Sequence, residues 1–257
     1  MIRNPLKNRV DATLVVYFSQ QDVSFEYIIV DGKSMDGTEE FLKSLTPTSN
    51  VKVKIICEKD KGVYDAMNKG IHKVSGKYTI FMNSGDYFAS NDVLAKVYPY
   101  LTSDADVVYG DTLMRYGGGN FINKPSNPTE ENPMPFIHQS ALVKTELLIK
   151  HPFDQSYKIL ADHKFFYTLN KEGSSYAYVP IVISSYNAQQ GLSAENPYQQ
   201  HIEHASIHGL DKSKLWFLRK LFYMLRFGLH MRLRRLLPAK LENRLVLISK
   251  RKIFQEL

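Results

Sequence analysis

The sequence predicts an α/β fold with a mostly parallel central sheet, helices on both of its faces, and a helical, basic C-terminal tail. Three observations predict it. Short β-branched and aromatic runs alternate regularly with helical stretches between residues 25 and 110. Several of these runs stop at an acidic or turn-forming residue, as buried parallel strands do. Cations crowd the chain only from Asp211 onward, where Asp211, Glu242 and Glu256 alone oppose them.

The first run, Phe25 to Val30, ends at Asp31-Gly32. The turn Ser34-Met35-Asp36-Gly37-Thr38 leads into a helix that Thr38 is placed to cap, with Glu39 and Glu40 in its first turn. Val51 to Cys57 reads as the next strand and Val63 to Val74 as a helix. Tyr78 to Met82 is a third strand, ending at Asn83-Ser84-Gly85-Asp86. Asn91 is placed to cap a helix through Tyr100, and Asp106 to Gly110 is a fourth strand. Gly117 to Pro135 is rich in Gly, Pro and Asn and reads as a long loop that could line or cover an acceptor site.

With 257 residues, 44% of them apolar, the chain can bury one catalytic domain with a short appendage. The division expected is a catalytic domain over residues 1–208 and a basic amphipathic helical tail over 209–257. The net charge of +7 is concentrated in that tail, so the domain itself is not a basic nucleic-acid reader. Cys57 is the single cysteine, which excludes an internal disulfide, and its apolar surroundings predict a buried strand residue. Met1 to Val10 carries no secretory pattern and no run of about 18 apolar residues occurs, so the expectation is a cytoplasmic chain without a spanning segment.

In a parallel sheet, ligands gather beyond the carboxyl ends of the strands. That rule selects Asp31 and Asp86, with Asp111 just behind the fourth strand. Asp31, followed by a turn-forming glycine, suits a nucleotide base or ribose. Asp86, read as lying on an exposed tight turn, suits a hard cation that binds phosphate oxygens. A third acid, Asp162, opens the helical stretch Asp162 to Tyr167, whose N-terminus would hold its carboxylate ionised.

Five segments in order carry a specific resemblance. They are Asp31-Gly32-Lys33-Ser34-Met35-Asp36-Gly37-Thr38, Asp60-Lys61-Gly62 through Asn68-Lys69-Gly70, Asn83-Ser84-Gly85-Asp86, His138-Gln139, and Phe153 through Asp162-His163. Together they resemble the donor-site motifs of family 2 glycosyltransferases, over about residues 12 to 195. The resemblance implies the glycosyltransferase A fold and inverting transfer of a sugar from a nucleotide-sugar donor to a saccharide or lipid-linked saccharide acceptor, in cell-surface polysaccharide assembly. It implies donor contacts from Asp31, Gly32, Ser34, Asp60, Gly62, Asn68, Ser84 and Gly85. Asp86 would hold a divalent cation, Mn²⁺ or Mg²⁺, Asp162 would be the catalytic base, and His138 and Gln139 would meet the acceptor or the diphosphate.

The family's sheet begins with a further strand and helix, and Ala12 to Gln20 aligns better with that helix. On that alignment the first strand is expected to be missing or replaced; if Thr13 to Phe18 is instead that strand, the helix is nearly absent, and either way a non-catalytic homologue that binds nucleotide or a partner stays open. In the tail, Leu215 to Phe227 mixes apolar and aromatic residues with cations. This pattern predicts peripheral attachment at the inner face of the cell membrane, with Trp216, Phe217 and Phe222 entering the headgroups.

Overall fold

The computed structural model describes residues 24–45, 51–116, 119–188, 196–251 and 255–256. The segment Ala12 to Gln20 lies outside them. Strand β1 (Phe25–Asp31) leads through helix α1 (Thr38–Lys43) to β2 (Val51–Cys57), which pairs with it in parallel, Phe25 opposite Val51 and Asp31 opposite Cys57. Gly37 rather than Thr38 occupies the α1 cap, in the left-handed region at φ 90° that glycine adopts readily. The Thr38 N–H and hydroxyl instead donate to Asp36 Oδ1 at 3.1 and 2.6 Å. Helix α2 (Val63–Ile71) then packs on β1.

The sheet is mixed rather than purely parallel. Its spine is β5 (Val107–Tyr116), which pairs in parallel with β8 (Tyr176–Asn187). The opposite edge of β5 carries two antiparallel partners, β7 (Ala141–Lys144) along Val107–Tyr109 and β6 (Gly119–Asn123) along Thr112–Tyr116. Strand β6 is a hairpin partner inside the stretch expected to be all loop. A bulge at Gly110 to Thr112 skips β8 past Pro180, which has no N–H for a ladder. Gly110 is required there, because a Cβ would stand 2.6 Å from Ile181 O. Among the described residues the parallel β1–β2 pair forms a sheet of its own.

The third predicted strand survives only as β3 (Tyr78–Thr79), antiparallel to β7, and residues 80–83 leave the ladder. A strand needs a neighbour on its edge. Among the described residues none pairs with residues 80–83, and an apolar cavity of about 650 Å³ lies between them and β1, lined by Tyr27, Ile28, Met67, Ile80, Met82 and Leu94 among others. Strand β4 (Tyr87–Phe88) joins β8, and α3 (Val93–Val97), with Asp92 at its cap instead of Asn91, runs on as a 3₁₀ turn through Ser103. Cys57 is half-buried rather than buried, because β2 is an edge strand.

Helix α4 (Thr145–Lys150) and helix α5 (Ala161–Lys171) close over one aromatic core in which Tyr109, Phe136, Phe153, Phe165 and Phe166 interlock. Helix α6 (Pro197–Ile207) follows, then α7 (Trp216–Leu236), α8 (Ala239–Arg251) and a two-residue strand β9 (Gln255–Glu256) paired to β6. The tail therefore returns to the sheet. Among the described residues no helix is long and apolar enough to cross a membrane. Trp216, Tyr223 and Phe227 turn inward onto His201 of α6, which corrects the outward placement expected for Trp216. Phe217 and Phe222 face outward, 73% and 60% exposed.

Candidate active site

At the end of β1 the Asp31 carboxylate is buried and folds its own turn: Ser34 N–H donates to Oδ2 at 2.9 Å and Ser34 Oγ to Oδ1 at 2.5 Å. This local bonding is the ordinary capacity of an Asx turn. Asp31, Gly32 and Ser34 line a cavity of about 240 Å³ together with Asn83 and Ser84. Asp60 stands against Gly32, where a Cβ would overlap its Oδ2, and accepts from Gly62 N–H at 3.0 Å. Gly62 itself, at φ 129°, opens α2.

The segment Asn83–Asp86 is a tight turn closed by Asp86 N–H donating to Asn83 O at 3.0 Å, with Gly85 at φ 91° supplying the left-handed residue. Asp86 is not on an exposed turn. It is 3% exposed, its Oδ1 accepts from Asn187 N–H at 2.9 Å and its Oδ2 from Gln139 Nε2 at 2.7 Å. Burial raises its pKa above the ordinary carboxylate value, and the bonds from Asn187 and Gln139 and the charges of His138 and Arg115 offset only part of that. Arg115 Nη2 also donates to Gly85 O at 2.5 Å, and its guanidinium lies over the Tyr87 ring. Gln139 Oε1, Ser185 Oγ and Arg115 Nε are buried without partners. Two of these side chains act on Asp86, Gln139 by its hydrogen bond and Arg115 by its charge, and unsatisfied polar atoms beside a buried carboxylate are what a ligand site retains.

The third acid, Asp162, lies in the first turn of α5 and is buried. Its Oδ2 faces His138 Nδ1 at 2.8 Å, and its Oδ1 accepts from His163 N–H at 2.8 Å. The Tyr64 hydroxyl stands 3.0 Å from Oδ1 and 2.6 Å from Ile159 O. Burial alone would raise this carboxyl, but the His138 bond and charge, then the His163 N–H and Tyr64, bring it below its ordinary value. Tyr64, pushed far up by burial and by Asp162, stays a neutral donor.

The approach to α5 is fixed from α6. Glu203, 4% exposed, accepts from the N–H groups of Lys158, Ile159 and Leu160 at 2.8–2.9 Å and from Gln199 Nε2. They lie on the three residues that lead into α5, the last of them its cap. Nothing near Glu203 in the sequence signals that role; Tyr64, by contrast, sits within the motif that begins at Asp60.

His138 and Gln139 tie these parts together. His138 bonds Asp162 through Nδ1 and meets Asn83 Nδ2 at 3.4 Å through Nε2, while its neighbour Gln139 bonds Asp86. Two predicted members stand otherwise. Both ends of the Asn68 amide bind the Phe153 backbone, at 2.8 and 2.9 Å, so it fastens the loop before α5 and does not line the cavity beside Asp31. Asp111 accepts from the Tyr178 hydroxyl at 2.8 Å.

A mixed sheet flanked by helices, with Asp31 at a strand end, Asp86 in a turn and Asp162 at a helix start, is the frame of a glycosyltransferase A fold. The chain belongs to glycosyl transferase family 2, whose model matches residues 7–166. It is 30% identical over 176 residues to a PGL/p-HBAD biosynthesis glycosyltransferase of Mycobacterium bovis, covering 66% of this chain and 68% of that one. To the putative teichuronic acid biosynthesis glycosyltransferase TuaG of Bacillus subtilis it is 26% identical over 133 residues, 50% and 52% of the two chains. Among solved structures, the mannosyltransferase PcManGT of Pyrobaculum calidifontis, in complex with GDP-Man and Mn²⁺, superposes with TM-score 0.62 at 16% identity over 95% of this chain and 76% of that one. S. aureus TarS 1-349 in complex with UDP does so with TM-score 0.56 at 15% identity, over 91% and 73%.

Proposed function

We propose that this chain transfers a sugar from a nucleoside diphosphate to an acceptor hydroxyl with inversion, in the assembly of a cell-surface glycan. One observation carries the reading: the dipeptide His138-Gln139 holds Asp162 with one residue and Asp86 with the next, so a base and an acidic phosphate-side site share one wall.

The cavity beside Asp31, Gly32, Ser34 and Ser84 takes the base and ribose, with Asp60 at its rim. Gly62 opens the helix behind that rim, and Gly85 lets the Asn83–Asp86 turn approach the diphosphate. The donor set near Asp86 fits a hard divalent cation, Mn²⁺ or Mg²⁺: a carboxylate that burial leaves undercompensated, beside the orphaned Gln139 Oε1. Such an ion, held by Asp86 and the diphosphate oxygens, would neutralise charge on the leaving group. Arg115 holds the turn by Gly85 O.

Asp162 takes the acceptor proton as the hydroxyl attacks the anomeric carbon, and the glycosidic C–O bond to the diphosphate breaks in the same displacement. His138, His163 N–H and Tyr64 keep that carboxylate ionised and oriented. A second reading rests on the same pair. With Nδ1–H donated to Asp162, His138 Nε2 bears the lone pair facing Asn83 Nδ2, so His138 would take the proton and Asp162 orient the ring. The tail adds a peripheral membrane contact through outward Phe217 and Phe222, which suits a lipid-linked acceptor.

A panel of nucleotide sugars, scored by thermal shift with and without Mn²⁺, tests the donor half. The reading requires one nucleotide class to stabilise the protein in a Mn²⁺-dependent way; no stabilisation by any member would leave the non-catalytic, partner-binding alternative.

A further inference from the structure

Away from the proposed donor cavity, three imidazoles meet between α5 and α6. His163 follows Asp162 in the first turn of α5, and His204 and His208 lie four residues apart at the end of α6, the spacing that puts two side chains on one helix face. His163 Nε2 and His208 Nε2 are 3.2 Å apart, and one ligating nitrogen from each of the three rings falls within 4.8 Å of the others. This is the one group of three or more potential ligands so placed among the described residues.

The geometry points to a zinc site formed by His163, His204 and His208, separate from the cation proposed at Asp86. Two nitrogens on a tetrahedral zinc at about 2.0–2.1 Å stand about 3.3–3.4 Å apart, close to the separation already present between His163 and His208. Three protein nitrogens plus one open position is a recurrent zinc arrangement. Hard Mg²⁺ and Ca²⁺ require oxygen ligands and would not compete. The surroundings favour neutral rings with lone pairs to offer: burial lowers all three, the charge of His204 lowers the other two, and that of Lys171 lowers His208. Asp162 opposes this at His163, whose value still falls to about 4. The Tyr167 ring meets His208 edge-on at 5.0 Å and closes one side.

Such an ion would fasten α6 to the turn that carries Asp162, alongside the Glu203 clamp on the three residues before α5. Its role is positional. It would raise stability, and the order of the first turn of α5, without touching donor.

The test uses full-length protein stripped with chelator and titrated with Zn²⁺ by calorimetry and with Co²⁺ by visible absorption, in wild type, Asp86→Asn, His204→Asn and His208→Ala. Wild type and Asp86→Asn are expected to bind about one equivalent with the same affinity, to give a tetrahedral Co²⁺ band and to melt higher with Zn²⁺. His204→Asn and His208→Ala should lose at least about 100-fold in Zn²⁺ affinity, more than an outer-sphere change costs. If His208→Ala does not fold, His208→Gln replaces it. Equal Zn²⁺ affinity in wild type and the histidine variants overturns the site, as does a Co²⁺ band that vanishes in Asp86→Asn.

Discussion

His138 Nδ1 lies 2.8 Å from Asp162 Oδ2, inside the protein, where an unpaired carboxylate would be costly. The pairing makes Asp162 an oriented anion, and Gln139, the next residue, extends the same wall to Asp86. The chemistry proposed for this chain rests on that wall, and its members can be perturbed separately.

Glu203 should act through Asp162 without touching substrate. Glu203→Gln keeps the volume but turns an amide NH₂ toward backbone donors, leaving at least one N–H among Lys158, Ile159 and Leu160 unsatisfied. A loss of about 1–3 kcal/mol in unfolding free energy is expected from that desolvated donor. Turnover should fall while donor KM holds, which chemical denaturation and steady-state kinetics together would check.

Acid sensitivity should trace in part to Glu26. Its carboxyl bonds Lys54 Nζ at 2.8 Å, Gly76 N–H at 2.9 Å, and both the N–H and hydroxyl of Ser75. Burial opposes ionisation, yet those bonds bring it from 4.5 down to about 2. A depressed carboxyl stabilises the fold above its unfolded value and loses that stabilisation as pH falls through its folded one. The stability gap between wild type and Glu26→Gln should thus be constant above about pH 5 and close between 4.5 and about 2. A gap that widens toward low pH would contradict the assignment.

At Asp86 an alanine would orphan the Gln139 amide and the Asn187 N–H, so Asp86→Asn is the informative change. It keeps a side chain in the turn and removes the charge. Mn²⁺-dependent donor affinity should fall by at least about tenfold, or ~1.4 kcal/mol, with metal-free affinity little changed. Calorimetry with donor, with and without Mn²⁺, measures both.

For the tail, Phe217→Ser with Phe222→Ser should leave the melting temperature unchanged, since both rings face outward. Binding to anionic vesicles should drop by at least about tenfold, given ~1.5 kcal/mol or more for each side chain that would otherwise be buried. Sedimentation at low and high salt checks it. Undiminished binding would leave Phe217 and Phe222 without a membrane role.

Much of the candidate site's local geometry was legible because strand ends and turns are local events. Asp31, Asp86 and Asp162 stand where an apolar run stops or a helix starts, and short-range sequence specifies such points. The pairing of strands is not local. Residues 80–82 are as apolar as any strand, yet among the described residues only Tyr78 and Thr79 of that run pair, with β7. Gly119–Asn123 reads as loop and becomes β6 because β5 runs past Gly110 far enough to offer it an edge. Glu203 was invisible for the same reason, since the backbone donors it holds lie 43 to 45 residues away. Trp216 was misplaced because composition describes the α7 helix but not which of its faces meets His201.

The measurement closest to the central claim is single-turnover transfer by Asp162→Asn at saturating donor and acceptor, beside His138→Gln. If Asp162 takes the proton, its variant should bind donor within about twofold of wild type and transfer about 10² or more times slower, with His138→Gln impaired less. A larger loss in His138→Gln would make the imidazole the base, and near-wild-type transfer by Asp162→Asn would contradict the account of this site.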